Sequence, residues 1–241
     1  MRSLIQLLGA TALFIAKTRA DESIVHDGQL ATPGLVIVNA PQPKTPLGGD
    51  TLHISLDVTA NGHLPLNLED DSPTRIHNIS IFLSSYSLGN NFTVTNGTAG
   101  RDEASLGNIL EQEPGSTVKH VNWVWPDCLV GDGGSDGDRG NYNISIRQYF
   151  RLNDEDHYTI YDLPIAVTNG IPEDDDRPSC ESLMNELLSP EEIDAEDANK
   201  VGFFLDPDSD IELDYDELED ESSMLALSWV MLGAVFVLAI A

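Results

Sequence analysis

Apolar residues recur mostly at every second position between Ala31 and Thr168, and this spacing organises the middle of the chain. It is most regular from Thr51 to Val58, where Leu52, Ile54, Leu56 and Val58 alternate with Thr51, His53, Ser55 and Asp57. Successive side chains of a strand point to opposite faces, whereas a helix returns its apolar residues every three or four positions. The same alternation predicts strands at Leu35–Asn39, at Ile76–Tyr86 with Ile79, Ile81 and Leu83 inward, and around Phe92 and Val94. Further strands are predicted at Val121, Trp123 and Trp125, at Asn143–Phe150 with Ile144, Ile146 and Phe150 together, and at Tyr158–Val167. Pro164 confines its strand to a sheet edge or a bulge, because it has no N–H to give to a ladder. Six or seven short strands between Gly, Pro, Asn and Asp turns, with no long helical pattern before Ser182, predict an all-β domain over residues 31–170. An immunoglobulin-like antiparallel β-sandwich is the expected class, with jelly rolls and other β-barrels as the alternative.

The pattern breaks at both ends. Residues 1–20 carry Arg2, then an apolar run from Leu4 to Ala16, then the small positions Thr18 and Ala20, the layout of a secretory signal peptide. Residues 224–241 run from Met224 to Ala241 without a charge, about 27 Å of helix at 1.5 Å per residue, close to the hydrocarbon thickness of a bilayer. Two endings fit this segment. It is either a spanning helix or the removable tail of a glycosylphosphatidylinositol signal, with Ser222 and Ser223 as the candidate attachment residues. The expectation is an exported chain, held by its C-terminal segment at the outer face of the plasma membrane or in the cell wall.

Charge sharpens this picture. The chain has a net charge of −29, and between Pro172 and Glu221 stand 21 acidic residues against Arg177 and Lys200. Residues 171–223 therefore read as an acidic, partly disordered stalk, with a short helix at Glu181–Leu188 and another starting at Ser189-Pro190-Glu191-Glu192. Phosphate contacts need a cationic surface, so a nucleic-acid partner is excluded by charge. Divalent cations bound weakly along the stalk are the expected counterions. Asp206, Asp208, Asp210, Glu212, Asp214 and Glu217 have the ligand spacing of a calcium loop, but Ile211 stands where that loop turns on glycine.

Cys128 and Cys180 are expected to form one disulfide, two free thiols being the alternative. Asn-x-Ser/Thr triplets begin at Asn78, Asn91, Asn96 and Asn143, all at expected strand ends, turns or outward positions, and four in one domain point to a glycoprotein. Trp123, Trp125 and Asp127 form a candidate sugar-binding strip, although the tryptophans also continue the alternation from Val121 and so read as core. His53, His77 and His120 lie on strands that pairing would bring together, but no histidine pair has a recognised metal spacing. The chain has no Gly-x-Ser-x-Gly elbow, no phosphate-cradling glycine loop and no His-Glu-x-x-His, so no catalytic residue and no cofactor is expected.

Taken together, the signal, the sequon-bearing β domain, the acidic stalk and the apolar tail resemble small fungal-type GPI-anchored cell-surface glycoproteins. The resemblance is one of layout. It implies a surface structural or adhesive role without catalysis, in which the β domain recognises a glycan, a wall polymer or an extracellular protein. The competing readings are a secreted carbohydrate-active enzyme on an all-β scaffold and an accessory subunit of a membrane protein.

Overall fold

A computed structural model describes residues 25–187, apart from 27, 67, 70, 98–105, 114, 134–138 and 140. The expected signal peptide, the calcium-like spacing from Asp206 to Glu217, Ser222, Ser223 and the 224–241 segment all lie outside the described residues. Among those described, no helix is long and apolar enough to cross a membrane.

Among the described residues, ten strands form two packed sheets. The first sheet has the order β1-β2-β3-β4-β8, built from Val25–His26, Gln29–Ala31, Ile37–Ala40, Thr51–Asp57 and Val118–Val124. The second has the order β10-β9-β5-β6-β7, built from Glu155–Ile165, Tyr142–Leu152, Arg75–Ser85, Asn90–Gly97 and Leu106–Gly107. The all-β expectation holds, with one departure from a wholly antiparallel arrangement: β7 runs parallel to β6.

The inward positions are those the alternation marks. Leu52, Ile54 and Leu56 of β4 meet Ile79, Ile81 and Leu83 of β5 and Ile144 and Ile146 of β9 in one core. Trp123 and Trp125 pack edge to face in the same core, ring centroids 6.0 Å apart. Pro164 sits in β10, the edge strand of its sheet, as a residue without an N–H requires. That edge is partly covered by residues 44–47, whose Lys44 and Leu47 amides donate to the Pro164 and Ala166 carbonyls. Pro46 and Ala166 form a parallel bridge there, so the chain that leaves β3 in the first sheet crosses to the second.

One inward position of β9 is polar. Gln148 is fully buried, its Nε2 donating to Thr32 Oγ1 at 2.7 Å and its Oε1 accepting the Val36 amide at 3.0 Å. It thereby satisfies the turn that enters β3 from across the sandwich. Gly34 makes room for it: a Cβ at that position would stand 2.7 Å from Gln148 Cδ. Gln148→Leu leaves the Val36 amide buried without a partner and takes the donor from the Thr32 hydroxyl, which keeps its own bond to the Val36 carbonyl. It is expected to cost about 2–3 kcal/mol, measured by urea unfolding. A loss below about 0.5 kcal/mol would show that water replaces the amide.

The sandwich does not end at residue 170. Residues 171–187, assigned by composition to the start of the stalk, pack on it as a strap. Ile171 is buried and pairs with Gly131, and Leu183 is buried in the main core. Between them, Arg177 is buried among carbonyls and Cys180 is disulfide-bonded to Cys128, with Cα atoms 6.0 Å apart. The helix expected over Glu181–Leu188 is a single turn, α1 (Cys180–Leu183), capped by Ser179, whose Oγ accepts the Ser182 amide. Helix stops there because Met184 and Asn185 pair with β6 instead, Met184 bridging Phe92 and the Asn185 amide donating to the Asn91 carbonyl. Apolar contacts and a covalent tie outweigh the solvation of the acids, which remain at the surface.

Candidate interaction faces

Each sheet presents one outer face, and the two differ in chemistry. On the first sheet β4 and β8 pair so that Thr51 faces Val124, His53 faces Asn122 and Ser55 faces His120. The same alternation that buries Leu52, Ile54, Val121 and Trp123 turns these residues outward. His53 Nδ1 donates to Asn122 Oδ1 at 2.9 Å, and the imidazoles of His53 and His120 lie 5.5 Å apart between centroids. Val124 is exposed at the end of this strip. The one acidic residue at an outward position of β4, Asp57, is buried and spends Oδ1 on the Thr59 amide and hydroxyl. Along β4 and β8 the exposed side chains of this face are thus uncharged, in a chain of net charge −29, with the Glu113 carboxylate at the strip's margin accepting the His120 amide at 2.9 Å.

The outer face of the second sheet is charged and aromatic. Asp156 is its hub, accepting from Arg151 Nε at 3.0 Å and Tyr149 OH at 3.3 Å, with His77 Nε2 at 3.2 Å. The Arg151 hydrogen bond holds the Asp156 carboxyl below its ordinary value of 3.8; desolvation opposes this, and His77 adds to it. Arg151 is raised in turn by the same hydrogen bond. His77 stacks on Tyr149 with centroids 4.7 Å apart, and the Arg147 guanidinium lies 4.6 Å over the Phe82 ring. At the far end, Tyr86 OH donates to Asp162 Oδ2.

All four sequons fall on this second sheet: Asn78 on β5, Asn91 and Asn96 on β6, Asn143 on β9. Asn78 is directly opposite Tyr149, and Asn143 opposite Ser84 and Pro164. Both are partly exposed, while the side chain of Asn96 lies outside the described residues. Asn91 departs from the exposure expected of a sequon at a strand end or turn. It is 1% exposed, and its Nδ2 donates to the Glu186 carbonyl of the strap. A sequon marks an acceptor for a transferase, not the burial of that residue after folding.

The tryptophan strip is also corrected. Trp123 and Trp125 are buried, so neither offers a ring to a ligand, and Trp125 Nε1 points to the Gly48 carbonyl. Asp127 is exposed beside the disulfide, where Oδ1 accepts the Cys180 amide. Asp127, Cys128 and Cys180 have ligand atoms close together, but both sulfurs are consumed by the bond between them. Nor do the three strand histidines meet: His53 and His120 share the first sheet, and His77 belongs to the second.

A cleft of about 200 Å³ opens between Leu64, Leu66, Leu68 and Ile76, with Arg75 and Lys119 at its margin. Lys119 is buried there, and its ammonium donates to the Gln112 and Glu113 carbonyls. Desolvation lowers its pKa, against the pull of Glu113. The cleft is smaller than the roughly 300–1,000 Å³ usual for small-molecule sites, and its lysine is already committed to the fold. No protein-family model, no curated protein and no solved structure matches this chain.

Proposed function

We propose that this chain is an exported, non-enzymatic surface module that binds an extracellular protein through the uncharged outer face of its first sheet. The observation that carries the reading is the division of labour between the faces: every sequon is on one sheet and none on the other. Glycans at Asn78 and Asn143 would stand over Tyr149 and Arg147, leaving Thr51, His53, His120, Asn122 and Val124 open. Depletion of charge is what distinguishes the centre of a protein interface from ordinary surface.

The strand order supports an immunoglobulin-like sandwich of the variable type as the finer fold. β3-β4-β8 correspond to its A-B-E strands and β10-β9-β5-β6 to G-F-C-C′, with residues 44–47 running along the last strand. The disulfide is placed differently, joining the segment after β8 to the strap rather than the two sheets at their centres. In this reading the acidic residues beyond the strap are a solvated stalk that screens itself with divalent cations, and 224–241 supplies the anchor.

A carbohydrate-active protein is the second reading, favoured by exposed Tyr149 and Tyr86 beside Asp156 and Asp162. Those two carboxylates lie six residues apart on one strand, about 20 Å at 3.3 Å per residue. Paired glycosidase carboxyls stand roughly 5–9.5 Å apart, so this pair does not fit hydrolysis.

A photo-crosslinking residue placed at position 122 or 147 of the full chain tests the choice. Position 122 is expected to give one discrete protein adduct in cells, and Val124→Glu to weaken that capture at least about tenfold, a change of 1.4 kcal/mol. An adduct from position 147 alone would move the site to the second sheet. Release of reducing sugar by the purified protein, lost in Asp156→Asn, would replace the binding role with an enzymatic one.

A further inference from the structure

The last contacts of the strap fall on a sequon. Asn91-Phe92-Thr93 opens β6, and three interactions join it to the chain after α1. Met184 bridges Phe92, the Asn185 amide donates to the Asn91 carbonyl at 2.8 Å, and Asn91 Nδ2 donates to the Glu186 carbonyl at 2.9 Å. Nδ2 is also the atom to which an N-linked glycan attaches. At 1% exposure Asn91 has no space for a sugar while the strap is in place.

We propose that Asn91 is a latch, at which glycosylation and closure of the strap are mutually exclusive. The bare amide holds Leu183–Leu187 against β6. The modified residue leaves that stretch undocked, while Cys180 stays tied to Cys128. In the modifying step Nδ2 forms a bond to the anomeric carbon of a polyprenyl-diphosphate-linked oligosaccharide. The bond from that carbon to the phosphate oxygen breaks, the diphosphate leaves with the electron pair, and the amide loses one proton. No oxidant or reductant takes part.

The order of synthesis makes both outcomes accessible. Glu186 follows Asn91 by 95 residues, so at 5–20 residues per second the sequon is open for roughly 5–20 s before its partner exists. The choice is therefore made on the nascent chain, and the folded product carries it as a fixed state. Asn78 and Asn143, partly exposed on the same sheet, face no such conflict.

The glycan arm rests on the export proposed above; the latch itself does not. The full chain is produced in a glycosylating eukaryotic host, its occupancy read by glycopeptide mass spectrometry and its strap by hydrogen exchange at the Asn185 amide. Molecules bare at Asn91, and the sequon-free variant Thr93→Val, are expected to protect Asn185 equally. Molecules modified at Asn91 are expected to exchange there at least about 100-fold faster, with the β9–β10 amides unchanged as a control for folding. Asn91→Asp, which loses the donor without gaining a sugar, is expected to release the same amide. Protection of Asn185 in modified molecules, or in a folded Asn91→Asp chain, overturns the latch. Absence of sugar at all four sequons counts against export, and the Asn91→Asp arm still decides the latch.

Discussion

Replacing both Cys128 and Cys180 by alanine is expected to lower the free energy of unfolding by about 4 kcal/mol. The residues are 52 apart in sequence, and closing a loop of that length removes unfolded-state entropy worth about 4 kcal/mol at 25 °C. For a body of this size the melting temperature should fall by about 8–16 °C. Calorimetry of the variant beside the oxidised wild type measures it, and a drop smaller than about 1 kcal/mol would mean that the cross-link leaves the unfolded chain nearly unchanged. The loss has a location as well as a size. Leu183 and Met184 stand three and four residues after Cys180, and without the covalent tie their docking has to be won from a free segment. Exchange at Asn185 should therefore accelerate more than exchange in β9 or β10.

Arg177→Leu is expected to cost about 3 kcal/mol. The guanidinium is buried and serves three pieces of chain: Nε donates to the Pro172 carbonyl at 2.8 Å, and Nη1 to the Trp125 and Asp50 carbonyls at 3.1 and 3.2 Å. Its ion pair with Asp50 adds little, because that carboxylate is 84% exposed and screened by water. The weight is on the carbonyls. A charged hydrogen bond contributes about 1.5–3 kcal/mol, and each buried acceptor left alone costs about 1–3 kcal/mol. Lysine should not rescue the site, since one ammonium on a flexible stem cannot reproduce the planar fork that reaches three segments. Urea unfolding of Arg177→Leu, Arg177→Lys and the cysteine variant, singly and combined, completes the test. The combined loss should fall short of the sum by at least about 1 kcal/mol, since both groups hold one strap. A cost within about 0.5 kcal/mol of zero would show the carbonyls to be solvated without it.

These two groups differ in how far the sequence discloses them. The cysteines are visible as an even pair behind a segment that reads as an export signal, and the bond forms. Arg177 stands after Glu173, Asp174, Asp175 and Asp176, where composition says only that water surrounds it. Nothing local reveals that Trp125 and Asp50 offer carbonyls to it from elsewhere in the fold. Strands β4, β5, β8 and β9 are legible because each alternates over seven residues or more against one core. The strands β1, β2 and β7 have two or three residues each, too few to display a period. Gln148 did leave a trace: it is the polar member of the inward series Ile144, Ile146, Gln148, Phe150.

The interaction faces are legible by halves. Thr51, His53 and Ser55 read as outward from their own strand, but the sequence does not say that β8 lies beside them and adds His120, Asn122 and Val124. Pairing across 60 or more residues is a property of the fold, as the 69-residue separation of His53 and Asn122 illustrates. For the same reason the sequons, spread from Asn78 to Asn143 along the chain, collect on one sheet only in three dimensions. Burial of Asn91 depends on a segment that follows it by 95 residues, beyond the reach of any local rule.

The strap also decides how the molecule would respond to tension. A pull applied beyond Leu187 meets first the Asn91 bond to the Glu186 carbonyl, then the two backbone contacts at Asn185 and Met184, then one helical turn, all of which can peel away in sequence. Peeling halts at Cys180, where the load passes through a covalent bond to Cys128 in the turn that follows β8. The segment can thus yield by a few residues under force while the two sheets, and the faces they display, keep their shape.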